Sequence, residues 1–115
     1  MIHLYGIPNC DTVKKARQWL DAQGLAYTFH DFKKEAPSLP QCTDWAQAIG
    51  VDTFINRRGT TWRQCSPEQQ AAASEVGGAA ALAQANPSVI KRPLVQGPNG
   101  QLTVGFKATD WQDLS

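Results

Sequence analysis

The residue best placed for chemistry in this chain is Cys10, which follows a short apolar segment, Ile2–Tyr5, and precedes a segment of helical pattern. A thiol at the start of a helix lies near unpaired backbone N–H groups and the positive end of the helix dipole. Both favour the thiolate, the nucleophilic form of cysteine. Asp11 opposes this, because its charge disfavours a neighbouring thiolate. The position predicts a nucleophile, with a buried apolar thiol as the alternative.

The other cysteines, Cys42 and Cys65, are far from Cys10 in sequence, and Val13 stands where a C-x-x-C motif would have its second cysteine. Widely spaced cysteines, odd in number, indicate free thiols in a reducing compartment, so we expect a cytoplasmic protein without a disulfide framework. The sequence does not place either residue within the roughly 7 Å Cα separation that a disulfide with Cys10 requires. Both are interpreted as structural.

Arginines at two places could bind an anion. Arg57, Arg58 and Arg63 fall within seven residues, and Arg92 directly precedes Pro93. A charge cluster is more often a solvated face than a site. Arg92 and Arg58 are the candidates for anion contacts, Arg57 is a weaker candidate, and Arg63 is interpreted as structural or at the surface.

Composition excludes several classes of function. The net charge of +1 gives no basic field for nucleic acid. No segment approaches the roughly 20 apolar residues of a membrane span, and no signal peptide is recognisable. His3 and His30 have no zinc-ligand spacing with any cysteine, so both are interpreted as structural and no metal site is predicted.

The elements around Cys10 predict a βαβ unit. Apolar residues recur at helical spacing after Cys10, and a strand pattern follows the helix. Strand, helix and strand in about 30 residues predict two parallel strands. The predicted bounds are Ile2–Tyr5, Asp11–Gln23 and Ala26–Phe32.

The middle of the chain predicts short helices after a loop at 36–41. Ser66 and Pro67 have the pattern of an N-cap followed by a proline in the first turn. Gly77 and Gly78 are expected to break the helix that begins there. The predicted helices are Gln41–Ile49, Asp52–Asn56, 67 to about 76, and Ala79–Ala85.

The remaining segment predicts a β-hairpin and a terminal helix. Asn99–Gly100 between the apolar runs Pro93–Gln96 and Leu102–Phe106 is a strong hairpin signal, and Ala108–Leu114 has a helical pattern. The order of elements predicts an α/β fold with a four-stranded mixed sheet of thioredoxin-like (glutaredoxin-like) arrangement. We expect one domain over 1–115, with an inserted helical block at about 36–88 before the third strand.

Three segments, in the same order as in the family, resemble the arsenate reductase (ArsC) and Spx-like family, and the YffB-like branch most closely: Tyr5–Thr12, Asn56–Arg63 and Ile90–Val95. The resemblance implies a thioredoxin-like fold, one reactive cysteine at Cys10 and arginines gathered around it. It also implies a cis bond between Arg92 and Pro93.

On this resemblance we expect a glutathione-dependent thiol–disulfide reductase with Cys10 as its single nucleophile. Arg92 and Arg58, with Arg57, are expected to hold glutathione carboxylates, and backbone groups around Thr12 and Pro93 its peptide portion. Glutathione is then a co-substrate rather than a bound cofactor. The expected partners are glutathione or a glutathionylated substrate, and glutaredoxin.

Two alternatives remain open on the sequence: an arsenate reductase of the glutaredoxin type and a non-enzymatic, Spx-like protein-binding regulator. The arsenate reductase branch has a third arginine where an ungapped alignment gives Gly105, and a histidine where this chain has Gly6. A doubly charged oxyanion needs several charge-assisted contacts, so these departures weigh against arsenate. Val13 removes the C-x-x-C switch often found in the Spx branch.

Overall fold

The computed structural model describes residues 2–98 and 100–106. The chain divides into two compact units: the first runs to Glu35 and resumes at Arg92, and the second is Ala36–Lys91. Across the described ranges, no helix is long and apolar enough to cross a membrane. The terminal helix predicted at Ala108–Leu114 lies outside the described residues.

The first unit is built on a four-stranded sheet with strand order β2-β1-β3-β4. Strand β1 is parallel to β2 and antiparallel to β3, and β3 is antiparallel to β4. This confirms the predicted mixed sheet and its parallel βαβ unit. The elements are β1 (Ile2–Gly6), α1 (Asp11–Ala22), β2 (Tyr27–Asp31), β3 (Leu94–Gln96) and β4 (Leu102–Val104).

Helix α1 packs on one face of this sheet through the apolar positions that the pattern predicts. Val13, Ala16 and Leu20 are fully buried and form one cluster with Ile2 and Leu4 of β1. Burying each large aliphatic side chain of this cluster contributes roughly 1.5–3 kcal/mol. The packing fixes the start of α1, and Cys10 with it, against the end of β1.

The hairpin between β3 and β4 is confirmed, but β4 is shorter than predicted. The Gly97 N–H donates to the Gln101 carbonyl at 2.8 Å, and Gly100 has a φ of +83°. Strand β4 ends at Val104 because Gly105 takes a φ of +75°, which a regular strand does not allow. The Gly105 N–H donates to the Pro93 carbonyl at 3.0 Å.

The second unit is helical, and helix α2 contacts α6 within it. Helix α2 begins at Leu39, inside the segment predicted as a loop, because Ser38 and Gln41 form a capping box. Helix α4 was not predicted. The elements are α2 (Leu39–Ile49), α3 (Val51–Phe54), α4 (Thr60–Gln64), α5 (Pro67–Ala72), α6 (Val76–Ala85) and a single 3-10 turn at Pro87–Val89.

The expected helix break at Gly77 and Gly78 is wrong. Helix α5 already ends at Ala72, and both glycines lie in the first turn of α6. A Cβ added at Gly78 would overlap the Ala72 carbonyl oxygen. Gly78 therefore permits a close approach of α5 and α6, and this packing outweighs the low helix propensity of glycine.

Candidate functional site

Cys10 is the N-cap residue of α1 and is half-buried against the apolar cluster of the first unit. Its carbonyl accepts a hydrogen bond from the Lys14 N–H at 2.9 Å, the first bond of the helix. The Cys10 side chain makes no capping hydrogen bond at this end of α1. As the N-cap residue, Cys10 lies at the end of the helix where first-turn N–H groups and the helix dipole can stabilise negative charge.

Gly6 and Val13 pack tightly on either side of the loop that holds Cys10. A Cβ added at Gly6 would lie 2.8 Å from Cγ2 of Val13, which is fully buried. Position 6 therefore has no room for the histidine of the arsenate reductase branch. Val13 occupies the position where a second redox cysteine would stand. Because Val13 packs against Gly6, the absence of that cysteine and the absence of the histidine are physically linked.

Thr12, Arg92 and Pro93 lie in the same unit as Cys10. Thr12 is half-buried in the first turn of α1. The Arg92–Pro93 bond is cis, as predicted. Leu94 pairs with Tyr5, so the register places Pro93 next to the carboxyl end of β1, from which the chain continues to Cys10.

The position of the missing third arginine, Gly105, has the left-handed backbone that favours glycine. An arginine there would be strained whatever space surrounds it. Its N–H is already used by the Pro93 carbonyl. The turn after β4 is therefore built to support the segment at Pro93 rather than to present a cation.

Arg57 and Arg58 lie in the second unit, in the loop between α3 and α4, and of these two only Arg57 has an ion pair with a described residue. The Arg57 guanidinium forms an ion pair with Asp52 at 2.8 Å and lies 5.6 Å from the centre of the Trp62 ring. The Arg58 side chain has no such partner, and its backbone N–H donates to Asn56 Oδ1 at 3.2 Å.

Sequence reasoning missed Lys91, which the fold of the second unit brings to these arginines. Ile55 and Ile90 form an antiparallel bridge, and the Lys91 N–H donates to the Phe54 carbonyl at 2.9 Å. Asp52 and Asn56 were missed as well. The result is a hollow of about 400 Å³, here called the cationic hollow, lined by Asp52, Ile55, Asn56, Arg57, Arg58 and Lys91. The one sequence signal for Lys91 is its position directly before Arg92.

His3 and His30, both interpreted from the sequence as structural, form a pair across β1 and β2. His3 Nδ1 and His30 Nε2 share a hydrogen bond of 2.9 Å, and the His30 ring stacks on Tyr5 with centres 4.4 Å apart. Burial, and then His3, lower the pKa of His30, while Glu35 opposes the shift. Burial, and then Glu35, raise the pKa of Tyr5. These contacts give the pair a structural role and assign it no chemistry.

The two remaining cysteines lie in the second unit in different environments. Cys42 is fully buried in α2, and burial raises its pKa to about 11. Cys65 is half-buried, and its sulfur lies 3.3 Å from the Thr61 carbonyl, to which it donates. Within residues 2–98 and 100–106, no three His, Cys, Asp or Glu side chains are grouped so that they could hold a metal ion.

Comparison with known proteins gives the same family along nearly the whole chain. The model of the ArsC family matches residues 5–114. An uncharacterized protein of Haemophilus influenzae is 35% identical over 112 residues, which cover 97% of this chain and 96% of that protein.

Solved structures agree with this match and show the thioredoxin-like fold of the family. The structure of a YffB protein has a TM-score of 0.91 and 40% identity, over 99% of this chain and 98% of that one. The solution structure of a protein related to arsenate reductase, from Brucella melitensis, has a TM-score of 0.75 and 38% identity, over 97% of this chain and 92% of that one.

Proposed function

The chain belongs to the ArsC family, and from this premise we propose that it is a glutathione-dependent thiol–disulfide reductase with Cys10 as its single nucleophile. The observation that carries the proposal is the place of Cys10, a half-exposed thiol at the uncapped start of α1. The position of a resolving cysteine is taken by Val13, which is fully buried. A nucleophile without an adjacent resolving thiol requires an external one.

The proposed reaction has two exchange steps. The Cys10 thiolate attacks the glutathione sulfur of a mixed disulfide between a substrate thiol and glutathione, and the substrate leaves as its thiolate. Cys10 is then joined to glutathione by a disulfide. A second glutathione thiolate attacks this disulfide, releases oxidised glutathione and restores the Cys10 thiolate. In the net reaction, the mixed disulfide and one free glutathione become the substrate thiol and oxidised glutathione, so a reducing compartment such as the cytoplasm can sustain the cycle.

Arginine side chains and two backbone segments are proposed to bind glutathione. Arg92 and Arg58 hold glutathione carboxylates through charge-assisted hydrogen bonds, with Arg57 as a further cation. The backbone around Thr12 and Pro93 holds the peptide portion, as an added strand would be held. Glutaredoxin, which is itself reduced by glutathione, is a second reductant that this scheme admits.

The test compares the turnover of a small glutathione mixed disulfide by three proteins. Cys10→Ser is expected to reduce the rate to that without enzyme. The matched control, Cys42→Ala with Cys65→Ser, is expected to keep most of the wild-type rate. Alanine is used at position 42 because a buried serine hydroxyl would be unsatisfied. An inactive control that folds, together with an intramolecular disulfide in the wild-type protein, would contradict the scheme.

The proposal does not extend to arsenate. The turn at Gly105 favours glycine, and Gly6 has no room for a side chain beside Val13, so two groups of the arsenate reductase pattern have no place here. We therefore expect arsenate turnover with glutathione and glutaredoxin to equal that of Cys10→Ser. A clearly higher rate would favour arsenate reduction instead.

A further inference from the structure

The cationic hollow is formed by the second unit alone and carries more charge than its own residues neutralise. Its lining includes three cations, Arg57, Arg58 and Lys91, and one acid, Asp52. Arg57 is occupied, because it is paired with Asp52 and lies over the Trp62 ring. Within the described part of the chain, Arg58 and Lys91 have no acidic partner, so they are the two cations that a ligand can use.

The acid in the wall makes the hollow unlike a simple anion site. Asp52 contacts Arg57 through Oδ1 only, and its side chain is 80% exposed. A carboxylate can accept several hydrogen bonds, so Asp52 can pair with Arg57 and with a ligand donor together. Asp52 would weaken the attraction of the hollow for a bare oxyanion and would gain no partner from it. A ligand that carries an ammonium beside a carboxylate would satisfy both kinds of charge.

We propose that the cationic hollow binds the α-amino-acid head group of glutathione, its γ-glutamyl end. The head-group carboxylate pairs with Arg58 and Lys91, and the ammonium pairs with Asp52. This inference rests on the proposed function, which supplies glutathione as the ligand. A hollow of about 400 Å³ is large enough for this head group.

The proposal changes the role expected for two residues. Lys91, which directly precedes the Arg92–Pro93 segment, becomes a ligand contact. Arg57 becomes a positioning residue, because its guanidinium fixes the Asp52 carboxylate and is itself held over Trp62. Its positive charge then pairs with Asp52 rather than with the substrate.

The test measures binding without turnover. The protein carries Cys10→Ser, and backbone amide NMR signals of Arg58 and Lys91 are followed during titration with reduced glutathione, N-acetylglutathione and inorganic phosphate. Acetylation removes the ammonium and keeps the carboxylates, so it isolates the contact with Asp52. We expect glutathione to bind roughly two- to fivefold more tightly than N-acetylglutathione, the range for one exposed charge pair.

Variants assign the contacts. Lys91→Gln and Arg58→Gln are each expected to weaken glutathione binding by about two- to fivefold. Asp52→Asn is expected to abolish the preference for glutathione over N-acetylglutathione, whatever it does to the overall affinity. The matched control is Arg63→Gln, which removes an exposed cation of the same segment outside the hollow and is expected to change neither quantity.

Three results would overturn the inference: equal binding of glutathione and N-acetylglutathione, an effect of Arg63→Gln as large as that of Lys91→Gln, or phosphate binding as tightly as glutathione. The failure of the proposed function is distinguishable. If wild-type protein shows no Cys10-dependent turnover but these binding differences are found, the reductase proposal is wrong and the head-group site stands. If turnover is found and Lys91→Gln leaves its KM unchanged, the site is wrong and the reductase proposal stands.

Discussion

Cys10 and Cys42 differ more in burial than their sequence positions indicate. Cys10 is half-exposed at a helix start, whereas Cys42 is fully buried in α2, where desolvation raises its pKa to about 11. At about pH 8, a thiol of that pKa is ionised in roughly one molecule per thousand. Because the reactivity of a cysteine depends on its thiolate fraction and on solvent access, Cys42 is unreactive in the folded protein.

Thiol labelling checks this difference. With a charged alkylating reagent at about pH 8, we expect Cys10 to be modified in the native protein and Cys42 to be modified only after denaturation. Mass spectrometry of peptides after timed labelling gives each rate separately. The control is Cys42→Ala, which should leave the labelling rate of Cys10 unchanged. Equal labelling of Cys10 and Cys42 in the native protein would contradict the burial of the Cys42 thiol in α2.

How far the sequence predicts a site residue depends on whether its partners are near it in the chain. Local sequence predicts that Cys10 stands at a helix start, and the family resemblance of a contiguous motif implied the cis bond before Pro93, which the structure shows. Asp52 and Lys91 acquire their place through the bridge between Ile55 and Ile90, a tertiary contact without a sequence signal. The same holds for His3 and His30, which become neighbours only through the pairing of β1 with β2.

Among the elements, the junction of β1 and α1 is the one that positions Cys10. Gly6→Ala should push its new methyl group into Val13, since the Cβ would lie 2.8 Å from Cγ2. We expect a loss of about 1–3 kcal/mol in the free energy of unfolding, measured by urea denaturation. Because the same contact positions the start of α1, Cys10 should also be labelled more slowly in this variant.

A double variant tests whether the contact itself is the cause. In Gly6→Ala with Val13→Ala, the smaller residue at 13 leaves room for the methyl group. The combined loss should therefore be smaller than the sum of the two single losses by about 1 kcal/mol or more. Strict additivity would show that Gly6 matters for another reason.

The first turn of α6 offers a matched pair of glycines. Gly78→Ala should cost about 1–3 kcal/mol in the free energy of unfolding, because its Cβ meets the Ala72 carbonyl. Gly77→Ala, one residue earlier in the same turn, has nothing within 4 Å and should stabilise by roughly 0.5–1 kcal/mol. Equal effects of the two substitutions in urea denaturation would refute the close approach of α5 and α6.

The two units differ in how well their elements follow from sequence. In the first unit, apolar periodicity and the hairpin signal predict the helix and all four strands, because these elements bury one continuous face. In the second unit, alanine is common and short helices pack closely. The end of α5 and the start of α6, predicted from helix propensity, were therefore wrong. Gly78 was interpreted as a helix breaker since its packing role depends on a neighbour that the local sequence does not identify.

For the whole molecule, the chain has a net charge of +1 and only one ion pair between described side chains, Arg57 with Asp52. The pH dependence of its stability should therefore have few strong contributors near neutrality. His30 is one, because burial and the neighbouring His3 lower its pKa, with Glu35 opposing. The His30 ring also lies against Tyr5, so its protonation acts on the contacts between β1 and β2.

The sign of this dependence follows from proton uptake. In the unfolded chain His30 takes up a proton near its ordinary pKa of about 6.5, whereas in the folded protein uptake requires a lower pH. The unfolded state therefore binds more protons as pH falls below about 6.5, and the free energy of unfolding should decrease until the pH passes the lowered pKa of folded His30. Urea denaturation between about pH 8 and pH 5 measures this slope. In His30→Gln the slope should become shallower over the same interval, and an unchanged slope would assign the pH dependence to other groups.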